Sequence, residues 1–241
     1  MSGKPVSHTE RMQACLAGQA PDYPPVALWR HFPVDDQDPG QLAKAAANFQ
    51  RTFDFDFIKV TPASSFCVRD WNASDVWRGS PEGTREYAGQ VIISPADWER
   101  LRVLNPLKGA LGSQLECLRL LRKEFDHSTP ILQTIFNPLS QAKNLVGKQN
   151  LPVHLRKHPE ALHRALDIIT ETNIRFVEAA QKTGIDGIFY AVQHAQYGLL
   201  TEAEFVEFSR PYDLRILEHC QGLWLNLLHL HGESVMFPMV S

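Results

Sequence analysis

Two histidines close the run LLHLHGES at residues 227–234: His229 and His231, spaced i, i+2 just before Gly232. In an extended strand both imidazoles project to one face, and Leu228 and Leu230 project to the other. The pair suits three uses: half of a metal site, two hydrogen-bonding groups of a substrate pocket, or the polar end of a core strand. Two same-face nitrogen donors leave a tetrahedral zinc site incomplete. Glu233 is the nearest further oxygen donor in sequence. Without metal, both rings are free to hydrogen-bond a substrate.

A second concentration of such side chains lies in VQHAQYG at 192–198, where Gln193, His194, Gln196 and Tyr197 follow the apolar run DGIFYAV. His194 is a candidate general acid or base near neutral pH. The structural alternative is a loop histidine satisfied by backbone or water. His154, His158 and His163 lie on or near a long polar helix and read as solvated. Phe205, Phe208, Leu214 and Leu217 recur at helical spacing and read as core.

The elements that must position these residues alternate in type. HTERMQACLAG reads as a short amphipathic helix, PPVALW (24–29) as a first strand, and 38–53 as a helix with Asp38 as cap and Pro39 in its first turn. FDFIKVTP (55–62) is a second strand, followed by an excursion from Ala63 to about Ile93. Within it VWRGSPEGTREYAG reads as a β-hairpin turning at Ser80, Pro81, Glu82 and Gly83. SPADWERLRVL and LKGALGSQLECLRLLRKEF read as helices. PILQTIF (130–136) is a third strand, NPLSQAKNLVG a helix capped by Asn137, and the stretch ending at Gly184 a long helix. DGIFYAV (186–192) is strand four, residues 201–221 are helical but divided by Pro211, and LWLNLLHLH is strand five. Strands alternating with helices predict right-handed βα units on a parallel sheet.

The bulk properties narrow the function classes. The chain has 241 residues, is 44% hydrophobic and 21% charged, and carries a formal net charge of −3. With no Lys- or Arg-rich block, nucleic acid is not an expected partner. No apolar stretch approaches the roughly 20 residues that span a bilayer. The opening MSGKPVSHTERMQ lacks the apolar core of a signal peptide, so a cytoplasmic location is expected. Cys15, Cys67, Cys117 and Cys220 are dispersed and read as reduced thiols. No Gly-rich loop follows any strand, which argues against a nucleotide-binding open sheet.

ERMQACLAGQAPDYPPVALW, GIDGIFYAVQHAQYGLLTEAEFVEFSRPYDLRIL and LLHLHGES, in that order, resemble the uroporphyrinogen decarboxylase superfamily. It holds the haem-pathway decarboxylase and zinc-dependent methyltransferases that use corrinoid-bound methyl groups. The resemblance covers essentially the whole chain and implies a (β/α)8 barrel with its site at the C-terminal strand ends. The expected fold is therefore α/β, an incomplete TIM-type barrel of about five of the eight strands, with a β-hairpin insertion after strand two. Residues 1–241 are expected to form a single domain lacking the C-terminal βα units. The open edges of such an arc favour pairing with other chains, including a homodimer.

The resemblance also implies site residues. Arg30 in PVALWRHFP falls where the decarboxylases place the first arginine of a carboxylate-binding motif, and His31 follows it toward the same mouth. The second arginine position falls at about Val34, the family aspartate after strand two near Ala63, the tyrosine after strand three near Asn144, and the serine after strand four near Ala195. The methyltransferase branch carries a His-x-Cys motif at the end of strand five, where this chain has His229 and His231. The leading expectation is a decarboxylase-like enzyme acting on a carboxylated, tetrapyrrole-related small molecule, which requires no cofactor. The alternatives are zinc-dependent methyl transfer from a corrinoid to a thiol, with His229 and His231 as ligands, and a catalytically dead, shortened barrel.

Overall fold

The computed structural model describes residues 6–240. The opening residues 1–5, part of the stretch read as lacking a signal-peptide core, and Ser241 lie outside the described residues. In chain order the helices are α1 (His8–Leu16), α2 (Pro39–Phe53), α3 (Gly109–Glu124), α4 (Pro138–Val146), α5 (Leu151–Lys157), α6 (Pro159–Gln181), α7 (Glu202–Phe208) and α8 (Arg210–Glu218). The strands are β1 (Ile58–Val60), β2 (Asp75–Val76), β3 (Glu86–Tyr87), β4 (Ile131–Phe136), β5 (Gly187–Val192) and β6 (Leu227–Leu230).

β1, β4, β5 and β6 form one parallel sheet in that order, with Lys59 opposite Leu132, Phe189 opposite Leu227 and Ala191 opposite His229. The barrel is not closed. Each strand divides its side chains by the period of two. Ile58, Val60, Ile131, Ile135, Ile188, Tyr190 and Val192 belong to a large cluster that also takes the buried faces of α2, α3, α4 and α6. Phe57, Leu132, Phe189 and Ala191 belong to a second, smaller cluster on the opposite face. That concave face is where chemistry has room. No helix among the described residues is long and apolar enough to cross a membrane.

Four parallel strands stand where five were expected. The 24–29 segment is extended but pairs in no ladder. Pro24 and Pro25 lack amide donors, and the Val26 amide donates to the Asp56 carboxylate at 2.6 Å instead of to a strand. One backbone bond, from the Asp56 amide to the Val26 carbonyl at 2.9 Å, fixes the segment beside β1. In the excursion, β2 and β3 pair antiparallel through Asp75–Tyr87 and Val76–Glu86.

Other expectations are corrected as well. The helix expected over 94–104 shrinks to a 3-10 turn at Pro95–Arg100. The α5 helix forms where none was expected, opened by Pro152 near its start. His154, expected in solvent, is buried on α5 and accepts the Trp98 indole N–H through Nδ1 at 2.9 Å. Leu214, expected in the core, is 49% exposed on α8, whereas Phe205 and Phe208 are buried. Pro211 follows the break at Ser209 that separates α7 from α8.

Candidate functional site

Every strand of the parallel sheet ends at one cavity of about 360 Å³, within the range of small-molecule sites. β1 supplies Lys59 and the following Thr61; β4 supplies Thr134 and Phe136; β5 supplies Phe189 and the following Gln193; β6 supplies His229 and the following His231. The 24–32 segment adds Trp29 and His31, the excursion adds Arg85 and Tyr87, and α4 adds Lys143 and Asn144. A larger hollow of about 580 Å³ lies between the 70–74 turn and the 3-10 helix, and none of its lining comes from a strand end of the parallel sheet.

Lys59 lines the first cavity between two aromatic rings. Its Nζ stands 4.4 Å from the Phe189 ring centroid and 4.9 Å from that of Trp29, which themselves pack edge to face at 5.0 Å. Burial lowers its pKa from 10.5 to about 8. Burial also lowers Lys143. His31 is lowered by burial first and by the Lys59 charge second; His229 is lowered by burial, then by His231 and Lys59. No Asp or Glu lines this cavity. Arg85 spends its charge behind the wall, on Asp36 at 2.9 Å and Asp75 at 3.4 Å, and thereby ties the excursion to the loop after His31.

Local geometry supports this arrangement at two glycines. Gly83, with φ +75°, sits so close to His31 that an added Cβ would approach the His31 Cβ to 2.7 Å. Gly232, with φ +111°, turns the chain directly after His231 and packs on the Gln196 amide. Two buried polar atoms of the lining make no hydrogen bond of ordinary geometry: the Tyr87 hydroxyl, whose polar neighbours are Ser64 and Asn144, and the Asn144 Oδ1. Burial pushes the Tyr87 hydroxyl well above its usual range.

The residues singled out in sequence separate into groups. His31, Gln193, His229 and His231 meet in the first cavity. His229 and His231 do share a face, with ring centroids 5.7 Å apart, while Leu230 packs against the large core cluster. Arg30 lies outside this lining: it is exposed, with its guanidinium 5.6 Å from the Phe32 ring and its Nε donating to the His31 carbonyl. Gln196 helps form a neighbouring cavity, where its Nε2 donates to the Gln193 carbonyl at 2.7 Å and its Oε1 accepts the Glu233 amide. Tyr197 is half exposed and donates to Glu202 at 2.8 Å. His194 is buried in that same neighbouring cavity, and burial, with Lys143 second, drives its pKa to about 3. The imidazole is thus neutral at physiological pH, and it lines the neighbouring cavity instead of the one that holds Lys59 and His229.

Lys59, Lys143, Arg85 and Tyr87 were not singled out by sequence reasoning. Lys59 carried a readable signal, a lone charge inside the apolar strand FDFIKVTP. Lys143, Arg85 and Tyr87 carried none, because tertiary packing of α4 and the excursion brings them to the strand ends. As for zinc, no group of three or more His, Cys, Asp or Glu placed to hold a metal occurs among the described residues. Glu233 is exposed, and its amide engages Gln196. His229 and His231 are a pair of donors without a third, which does not fit a tetrahedral zinc site.

A family model described as Uroporphyrinogen decarboxylase (URO-D) matches residues 7–239. Among curated proteins, the uroporphyrinogen decarboxylase of Syntrophotalea carbinolica is 29% identical over 157 residues, covering 62% of this chain and 45% of that protein. The methylcobamide:CoM methyltransferase of Methanosarcina acetivorans is 23% identical over 145 residues, covering 60% of this chain and 42% of that protein. The chain thus spans less than half the length of these relatives. A solved methyltransferase from Methanosarcina mazei superposes with a TM-score of 0.81 at 21% identity, over 95% of this chain and 71% of that one. At that identity the likeness concerns the fold.

Proposed function

We propose, for a chain that belongs to the uroporphyrinogen decarboxylase family, that the cavity at its strand ends binds a carboxylated small molecule and supports decarboxylation. One observation carries the reading: Lys59 and Lys143 face a cavity whose lining contains no carboxylate. An unpaired ammonium among aromatic rings is poorly solvated, and an anionic ligand restores its counter-charge. In decarboxylation the bond between the carboxylate and its carbon breaks, CO₂ leaves, and the electron pair remains on the substrate until that carbon is protonated. An ammonium with a pKa near 8 serves both needs, holding a carboxylate or delivering the proton.

The substrate named by the family is not supported residue by residue. Ala63 and Asn144 line the cavity where the decarboxylase pattern has aspartate and tyrosine, and Arg30 turns away from it. We therefore read the substrate class as a carboxylated small molecule, with uroporphyrinogen as the first compound to try. Incubation with uroporphyrinogen and with smaller polycarboxylates such as tricarballylate, followed by mass spectrometry, tests the reading. Loss of CO₂ from any of them that disappears in Lys59→Met supports it; no loss of CO₂ from any of them, with tricarballylate also failing to bind by titration calorimetry, overturns it.

A second reading rests on the similarity to methyltransferases, namely methyl transfer to a thiol. The described residues do not complete the zinc site that such chemistry uses. Metal analysis of protein purified without chelators decides between the two: stoichiometric zinc that is lost in His229→Ala would favour methyl transfer, and metal-free protein the decarboxylase.

A further inference from the structure

We propose that a second ligand site lies beside the first, and that it takes a short aliphatic hydroxycarboxylate: an anionic head, a hydrogen-bond donor next to it, and an apolar tail. The site is a separate cavity of about 330 Å³ formed by the segments that follow β4 and β5. Its apolar lining is Leu151 and Pro152 at the start of α5 and Leu199 and Leu200 from the loop after β5. Its cationic lining is Lys143 and Lys148, and no Asp or Glu lines the cavity. An aliphatic chain suits the four apolar residues and a carboxylate the two lysines.

The need for a donor follows from a buried hydrogen-bond chain behind His194. The Tyr190 hydroxyl and the Ser209 hydroxyl each donate to the Asp213 carboxylate at 2.8 Å. Because Ser209 has a single proton and gives it to Asp213, it accepts from the Asn137 amide nitrogen at 3.0 Å. Asn137 Oδ1 in turn accepts the Ser140 hydroxyl. Ser140, its proton committed, accepts from His194 Nδ1 at 3.3 Å. A neutral imidazole with its proton on Nδ1 presents a lone pair at Nε2. His194 lines the second cavity, and its Nε2 has no hydrogen-bond partner among the described residues. A ligand that fills the cavity therefore meets an acceptor there and satisfies it with a hydroxyl.

The two cavities share Lys143, Gln193 and His231 as a common wall, yet each has its own cation and its own apolar surface. Binding of 2-hydroxyhexanoate to the full chain, measured by titration calorimetry, tests the assignment. Hexanoate, lacking the donor, is expected to bind roughly tenfold more weakly, and glycolate, lacking the tail, more weakly still. Lys148→Glu and Leu199→Glu, both at exposed positions, are expected to weaken 2-hydroxyhexanoate by roughly tenfold while leaving tricarballylate binding in the first cavity within about twofold. Equal binding of hexanoate and 2-hydroxyhexanoate, indifference to both substitutions, absence of binding, or mutual exclusion with tricarballylate would each overturn the second site. Failure of tricarballylate alone would instead count against the proposed function.

Discussion

The Lys59 ammonium lies 4.4 Å from the centroid of the Phe189 ring, two residues before Ala191, the partner of His229 in the β5–β6 ladder, with no carboxylate in the cavity lining to neutralise it. The folded chain holds this group near a pKa of 8, against 10.5 for an ordinary lysine. Between those values the unfolded chain binds more protons than the folded one, so stability rises with pH from about 8 to 10.5. Below that window the lysine is charged in both states and burial opposes folding in full. Lys59→Met is expected to abolish that slope and to add about 1 kcal/mol at neutral pH, since the open mouth of the cavity screens part of the penalty. The same substitution should eliminate tricarballylate binding. Urea melts across pH, paired with calorimetry, check both, and a variant that is neither more stable nor binding-deficient would contradict the assignment.

Tyr87 offers a second separation of stability from binding. Its hydroxyl is buried in the wall of the first cavity with only weak contacts to Ser64 and Asn144. Removing it gives up little, so Tyr87→Phe should change stability by less than about 1 kcal/mol in either direction. If the hydroxyl meets a ligand oxygen, the variant should bind carboxylates about five- to tenfold more weakly. A loss of stability with unchanged binding would show that Tyr87 only packs.

The alternation of strands and helices was readable because each strand buries a continuous apolar run and each helix repeats its apolar face. DGIFYAV and PILQTIF became β5 and β4 within a residue of their expected limits. PPVALW misled because its composition is strand-like while its two prolines deprive it of a ladder; two hydrogen bonds between Val26 and Asp56 hold it beside β1 instead. At the site, the i, i+2 spacing placed His229 and His231 on one face without help from tertiary structure. The burial that lowers the His194 pKa, and its place in the neighbouring cavity, are set by tertiary packing that no local pattern reveals. Lys143 and Tyr87 reach the cavity from α4 and from the excursion, across sequence separations that only the assembled sheet brings together.

The segment bearing Trp29 and His31 depends on a buried charge cluster. Arg11 Nη1 donates to Asp56 at 2.6 Å and its other nitrogens hold Asp22 at 2.7 and 2.9 Å, while the second Asp56 oxygen accepts the Val26 amide. Asp56→Ala strands part of a buried guanidinium and frees that amide. Because Asp22 remains, the cost should sit near the lower end for broken buried pairs, about 3 kcal/mol. The loosened 24–32 segment should also weaken binding in the first cavity. Urea denaturation and tricarballylate titration measure the two effects; a loss below about 1 kcal/mol would mean the cluster is not what anchors the segment.

Asp213 is the residue through which the donor preference of the second cavity can be reversed. Its carboxyl is fully enclosed, and burial raises its pKa from 3.8 to about 6, against the lowering effect of Ser209 and Tyr190. Between those values the folded chain binds the extra proton, so Asp213 contributes stability at low pH that is lost as pH rises through about 6. Asp213→Asn keeps the shape and removes that dependence. Its amide nitrogen would donate to Ser209, whose proton must then turn to Asn137, Asn137 to the flipped amide that donates to Ser140, and the Ser140 proton to His194 Nδ1. The imidazole proton would move to Nε2 and face the cavity as a donor. Nitrogen-15 spectra of His194 should therefore show an Nδ1–H tautomer in the parent chain and an Nε2–H tautomer in the variant. The roughly tenfold preference for 2-hydroxyhexanoate over hexanoate should vanish along with it, because a donor at Nε2 serves a carboxylate as well as a hydroxyl. An unchanged tautomer would mean that the chain of hydrogen bonds holds α8 against β5 without setting the chemistry of His194.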